Sequence, residues 1–402
     1  MKFFWKGIDN INNIRANPAI TAVIAEGFLT RLGFGMVGFV LPLFAIYLGM
    51  NLVEVGMLYV FRTASVLMVK PVMGWAADRF GAKRTLVFAV IMRCMVGFLF
   101  IFATLPWHLY AIRILSGAMT AARDPSASAL IAEHGDKKNM ASTFAWYVTA
   151  REVGKSLGYG LCGLLITATG GYRLVFIIAF ITSCTALITV MRYLKEDINE
   201  EIKYEASLPI ASEEAQPSGH RMRLLHYAGF GLMVALIADM MRGFFPIIAI
   251  QYAHLSEAEA GIAASASSIF VLVGGPLFGW LSDNVSRKLA LGSRSFANIF
   301  SSLLYIFFPS FSGFLMARVI DDTGKAAFRP AWGSMLAELS DTQPERRGRT
   351  ISYVDSASTL GEMLGPMIAG LLLAGFGIPA MLGVRAALSL IVELQAIYVT
   401  RR

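Results

Sequence analysis

Residues 74–85 of this chain, GWAADRFGAKRT, return in altered form as GWLSDNVSRKLAL at 279–291, a shift of 205 positions in a chain of 402. The same shift lays Gly56 on Gly261, Pro71 on Pro276, Asp78 on Asp283 and Lys83 on Lys288. It also lays Arg113 on Arg318, Pro125 on Pro330 and Glu133 on Glu338. Coincidences in that number at one offset mean that a unit of about two hundred residues has been duplicated. Whatever the fold is, it is built from two like halves, an arrangement that recurs in membrane carriers.

The halves are apolar. Hydrophobic residues make up 56% of the chain, charged residues 15%, and the mean hydropathy is +0.60. That leaves too little polar surface for a large soluble domain. Apolar segments lie near 19–47, 55–77, 85–104, 108–133, 140–168 and 173–193. A second set lies near 227–252, 259–281, 289–309, 313–338, 350–374 and 379–400. Each meets the ~20 residues that a helix needs to cross a bilayer core. The expected fold is an all-α integral membrane protein of twelve transmembrane helices, arranged as two pseudo-symmetric six-helix bundles. The expected divisions are a cytoplasmic N-terminal segment at 1–18, a first bundle at 19–193, a linker at 194–226 and a second bundle at 227–402. The linker is rich in Glu and Ser and contains Pro209 and Pro217, a composition that does not pack a core.

Orientation follows from the basic residues. The connections at 48–54, 105–108, 169–173, 253–259, 310–313 and 375–379 hold Arg173 and no Lys. The alternate connections carry Arg79, Lys83 and Arg84, then Lys137 and Lys138, then Arg192, Lys195, Lys203, Arg221 and Arg223. They continue with Arg287, Lys288 and Arg294, and with Arg346, Arg347 and Arg349. Both termini are therefore expected in the cytoplasm, in a bacterial inner membrane or an internal membrane derived from it. The net charge of +8 follows from this bias, so lipid is an expected partner and nucleic acid is not. No cleavable leader is expected behind Lys2 and Lys6, and Phe3, Phe4 and Trp5 suit an interfacial anchor. Cys94, Cys162 and Cys184 are scattered through the spans, and the five histidines lack ligand spacing. Neither a metal site nor a cofactor is expected. No nucleophile and base set or phosphate loop points to an enzyme. A monomer is expected.

The stretch Gly74-Trp75-Ala76-Ala77-Asp78-Arg79-Phe80-Gly81-Ala82-Lys83-Arg84 resembles the signature loop of the major facilitator superfamily. That signature reads glycine-x-x-x-aspartate-arginine-x-glycine and continues into basic residues. Gly74 permits close helix approach and Gly81 a tight turn. Ala82 stands where the family has a basic residue, with Lys83 and Arg84 following. In the second copy Gly279, Asp283 and Arg287 match and Ser286 replaces the second glycine. The resemblance implies gating loops that latch the halves, with Asp78 near Thr350 and Asp283 near Ser142 at helix N-termini. Arg113-Ile114-Leu115-Ser116-Gly117 is similar to the arginine-x-x-x-glycine motif of proton-coupled members. The antiporter glycine-proline motif is incomplete, since Tyr159 replaces its proline and Gly365-Pro366 lies in the eleventh span. Ala122-Arg123-Asp124-Pro125-Ser126 and Phe144-Ala145-Trp146-Tyr147 also resemble iron-linked members of magnetosome membranes.

Ionisable residues at membrane depth are costly and usually face a wet cavity or one another. The tenth span carries Arg318, Asp321, Asp322, Lys325 and Arg329 at steps that share a helical face. Glu26 and Arg31 lie in the first span, Arg123 and Asp124 in the fourth, and Asp239 and Arg242 in the seventh. Lys155, Asp355 and Glu362 lie in the fifth and eleventh spans, and Lys155 and Glu362 are a candidate pair. Candidate solute ligands are Arg31, Arg123, Arg242, Lys325 and Arg329. Candidate proton carriers and partners are Glu26, Asp124, Asp239, Asp321, Asp322, Asp355, Glu362 and Lys155. In the first, fourth, seventh and tenth spans, with the terminal Glu133 and Glu338 set aside, seven bases stand against five acids, and arginine suits carboxylate and phosphate. The expected function is a proton-coupled secondary transporter working by alternating access on an anionic or zwitterionic solute, a carboxylate-bearing metal chelate among them. The alternatives are a multidrug/proton antiporter and a transporter-like scaffold or sensor.

Overall fold

The computed structural model describes residues 17–134, 140–194, 218–267, 287–341 and 347–400. The first helix, α1 (Pro18–Tyr47), starts where its sequence supplies a cap. The Asn17 side chain accepts from the amides of Ala19 and Ile20 at 3.1 and 3.3 Å, and Pro18 needs no acceptor. Asn17 also donates to the His134 carbonyl at 3.0 Å, which ties the start of α1 to the end of the fourth span. Helix α2 (Leu52–Phe80) opens with a reciprocal cap: Asn51 accepts from the Glu54 amide at 2.9 Å and Glu54 accepts from the Asn51 amide at 2.7 Å. It runs on through Asp78. Gly81, at φ +87°, is the whole turn before α3 (Ala82–Ile101), so the expected loop is a single left-handed glycine. The half closes with α4 (Pro106–His134), α5 (Met140–Thr169) and α6 (Arg173–Tyr193).

The second half begins with α7 (Ser218–Asp239) and the short α8 (Phe245–Gln251), followed by helical residues 257–267. It continues with α9 (Arg287–Phe307), α10 (Phe311–Asp341) and α11 (Arg347–Thr400). Gly377, at φ +82°, turns α11 between the eleventh and twelfth spans. One expectation needs correction. The seventh span, read as continuous over 227–252, breaks at 240–244, where Gly243 takes φ +88° ahead of Pro246. A glycine in the left-handed region followed by a proline cannot carry the hydrogen-bond ladder through.

Two compact units emerge. Among the described residues, the first takes in those of 17–194 together with 246–267, the second those of 218–245 and 287–400. In the first, α1 packs on α5 and α6, α2 on α4, and α3 on α4 and α6. In the second, α7 packs on α11, and α9 on α10 and α11. Small residues set the closest approaches, as expected for helices packing in lipid. Gly154 and Gly158 of α5 lie on the carbonyls of Phe28 and Leu32 of α1; Gly361 and Gly365 of α11 lie on those of Leu232 and Leu236 of α7. Residues 246–267 join the first unit for the same reason. Gly163 and Gly261 are so close that a Cβ on either would sit 3.0 Å from the other's Cα. Ser156 donates to the Ser265 carbonyl at 2.7 Å, and Thr167 accepts from the Ala258 amide at 3.0 Å.

Candidate functional site

The second unit encloses a network of charges. The Asp321 carboxylate of α10 accepts from Arg294 of α9 at 3.0 Å, from Lys325 at 3.0 Å and from Arg385 of α11 at 2.8 Å. Asp322 pairs with Arg318 at 3.2 Å and Lys325 at 2.8 Å. Arg385 is 0% exposed, and it also donates to Asn298 Oδ1, Ser301 and Ser302 of α9 at 2.8, 3.1 and 2.9 Å. Of the five charges on the α10 face, Asp321 is held by α9 and α11, and Arg318, Asp322 and Lys325 pair along α10 itself. Only Arg329, four residues beyond Lys325, is exposed. Arg294 needs correction: the sequence places it among loop bases, yet it is buried inside α9 because Asp321 faces it.

A smaller cluster sits at the break in the seventh span. Asp239 is the last residue of α7, where a carboxylate opposes the helix dipole, and Arg242 in the break compensates it. The Arg242 side chain, 47% exposed, pairs with Asp239 and reaches Glu362 of α11 at 3.2 Å. The Glu362 side chain is 44% exposed. Three side chains that the sequence offers separately as solute ligand and proton carriers thus meet here. Lys155, the partner considered for Glu362, lies with its amine over the Tyr159 ring at 5.6 Å in the first unit.

In the first unit, Glu26 of α1 is 0% exposed and holds Arg123 of α4 with both oxygens, at 2.8 and 2.6 Å. Thr30 donates to the same carboxylate at 2.7 Å. Arg123 also pairs with Asp124 at 2.8 Å, and Arg151 of α5 reaches Asp124 at 3.2 Å from above the Tyr147 ring. A carboxylate engaged on both oxygens by one guanidinium is a strong, directional pair.

Three further arginines of this unit gather on one aromatic ring. Arg31 of α1, Arg62 of α2 and Arg93 of α3 stand 5.4, 5.1 and 5.5 Å from the centre of Phe34. Arg113 of α4 is buried, donates to the Leu58 carbonyl at 3.2 Å and lies over Tyr59. It does not reach for the membrane surface. Arg93 is 6% exposed and its Nε has no hydrogen-bond partner among the described residues. A cation on an aromatic face gains about 2 kcal/mol when desolvated, less than the several kcal/mol that burying an ion costs. Arg62, Arg93 and Arg385 are absent from the sequence-derived candidates. Each is a charge inside an apolar span, and Arg93 is the one charge of 85–104.

Of the other candidates, Asp355 is exposed on α11. Gly74 faces open space in α2, Arg79 lies against Trp75 and Phe80, and Lys83 is in the first turn of α3. Gly279 and Asp283, the side chains of Asp78 and Arg287, and most of the linker lie outside the described residues, as do the first sixteen residues.

Residues 26–219 and 227–402 match the Major Facilitator Superfamily. Multidrug resistance protein 2 of Bacillus subtilis is 23% identical over 364 residues, covering 87% of each chain. Multidrug resistance protein MdtG of Proteus mirabilis is 24% identical over 371 residues, covering 90% of each. The crystal structure of the nucleoside transporter NupG superposes with a TM-score of 0.78 at 11% identity, over 96% of this chain and 99% of that one. That likeness shows the fold, twelve helices in two domains, and the expectation of an all-α membrane protein holds. With a match running through both repeats and a fold to accompany it, the chain belongs to the Major Facilitator Superfamily.

Proposed function

We propose that this transport protein carries an organic anion or zwitterion together with protons, and that solute and proton meet at the break in the seventh span. One observation carries the reading: Arg242, half exposed at a helix interruption, is shared between Asp239 and Glu362. Irregular backbone at membrane depth is tolerated where it lines a wet cavity, and carriers bind their cargo at such interruptions. A solute carboxylate docking on Arg242 displaces one of the two acids. An acid that has lost its cation takes up a proton more readily, so solute and proton bind together and leave together. The one-sided distribution of Lys and Arg supports an inner-membrane location with both termini cytoplasmic.

A second reading, export of lipophilic compounds against protons, is favoured by the names of the multidrug resistance relatives. There a cation and a proton would compete for the same carboxylates. The two differ in sign. In proteoliposomes with the acid side outside, symport accumulates labelled carboxylates or carboxylate-bearing metal chelates, whereas antiport drives lipophilic cations toward the acid side. Arg242→Gln should abolish anion uptake, and Glu362→Gln should leave binding while flattening its dependence on pH. Uptake by Arg242→Gln at the native rate overturns the proposed site.

A further inference from the structure

We infer that the first unit holds a small anion of chloride size beside Arg93 and Ser116, in the place where the second unit carries its own carboxylate. The duplication supplies the comparison. At the shift of 205, Ser116 corresponds to Asp321, Gly117 to Asp322 and Phe34 to Asp239, while Arg113 corresponds to Arg318. In the second unit the Asp321 carboxylate is the point on which Arg294, Lys325 and Arg385 converge. In the first unit all three acids are gone, yet the basic residues have accumulated: Arg31, Arg62 and Arg93 on Phe34, and Arg113 next to them in α4.

The place left by the missing carboxylate is open. A cavity of about 20 Å³ is lined by Phe34, Arg93, Phe100, Arg113, Ser116 and Ser183. In that measure one water-sized body needs roughly 10–15 Å³, so the cavity takes one small group and excludes a drug-sized solute. Arg93 lines it, is buried, and keeps its Nε without a hydrogen-bond partner among the described residues. Glu26, the buried acid of the same unit, already has both oxygens on Arg123 and accepts from Thr30. A guanidinium in that position requires a counter-charge, and the Ser116 hydroxyl is a donor suited to hold it.

The inference does not depend on which solute is moved, since a resident anion would be present in a protein that transports nothing. The test uses purified full-length protein exchanged into sodium gluconate, an anion too large for the cavity, and titrated with sodium chloride at constant ionic strength. Chloride should raise the melting temperature saturably, by about 2–5 °C, where gluconate does not. Ser116→Asp restores the carboxylate of the second repeat. It should melt as high in gluconate as the native protein does in chloride, with no chloride response. Arg93→Gln should also lose the response. Equal effects of chloride and gluconate on the native protein, or a full chloride response in Ser116→Asp, would overturn the site. If that variant fails to purify, bromide exchanged into the native protein decides by its anomalous signal beside Arg93; its absence there rejects the anion. Acetate acting in place of chloride would assign the pocket to a solute carboxylate and reject the halide.

Discussion

At the scale of single residues, the buried charges divide by what the neighbouring helices offer them. Asp321 is 1% exposed and serves three cations from three helices. Removing its charge leaves Arg294 and Arg385 buried without their shared anion, a change that costs about 3–5 kcal/mol in comparable buried pairs. Asp321→Asn should therefore lower the melting temperature of the purified protein steeply, read as loss of monodispersity on heating. Arg329, on the same helix but exposed, should tolerate Arg329→Gln within about 0.5 kcal/mol. Equal stability of the two variants would show that the network contributes nothing to folding. The helical spacing of Arg318, Asp321, Asp322, Lys325 and Arg329 was readable along the chain. That Asp321 is the buried meeting point of three cations was not, because it depends on Arg294 and Arg385 arriving from α9 and α11.

At the scale of elements, glycines decide how closely helices approach and where one stops. A Cβ on Gly365 would meet the Leu236 carbonyl of α7, and overpacking of this kind costs about 1–3 kcal/mol. Gly365→Val should destabilise the second unit by that order. Gly333→Ala in α10, which meets nothing within 4 Å, should stabilise by about 0.4–1 kcal/mol. The contrast between these two, measured by thermal unfolding, separates a packing effect from helix propensity. Gly243 acts differently, through its φ of +88° in the break of the seventh span. Gly243→Ala forces a side chain into that conformation at about 1–2 kcal/mol and favours closing the break. Its expected result is slowed transport with folding retained, and an unchanged transport rate would show that the interruption has no part in the cycle.

At the scale of the whole molecule, the duplicated unit and the basic-residue bias make one statement about orientation. Single cysteines placed in 195–217, in a protein with Cys94, Cys162 and Cys184 replaced, should resist membrane-impermeant thiol reagents in intact cells. Cysteines placed in 48–51 should react. Labelling of the linker from outside would reverse the proposed topology. The two units share an ancestry, and they now treat charge differently. The second gathers buried arginines on Asp321 and Asp322, whereas the first gathers Arg31, Arg62 and Arg93 on the Phe34 ring.

Read alone, the chain determines the number and placement of its spans, their internal repeat and the family signature, because these rest on local composition and on residues close in sequence. Apolar length and the cost of exposing backbone in lipid leave helices as the available solution, so the all-α fold follows from hydropathy. Three further facts belong to the tertiary structure. The seventh span breaks at Gly243, which a hydropathy window averages away. Arg294, which reads as a loop base, is drawn inside by a carboxylate twenty-seven residues later in the chain. Glu26 and Arg123 find each other across ninety-seven residues. Electrostatic pairing at membrane depth depends on distances of a few ångströms between different helices, and only their packing sets those distances.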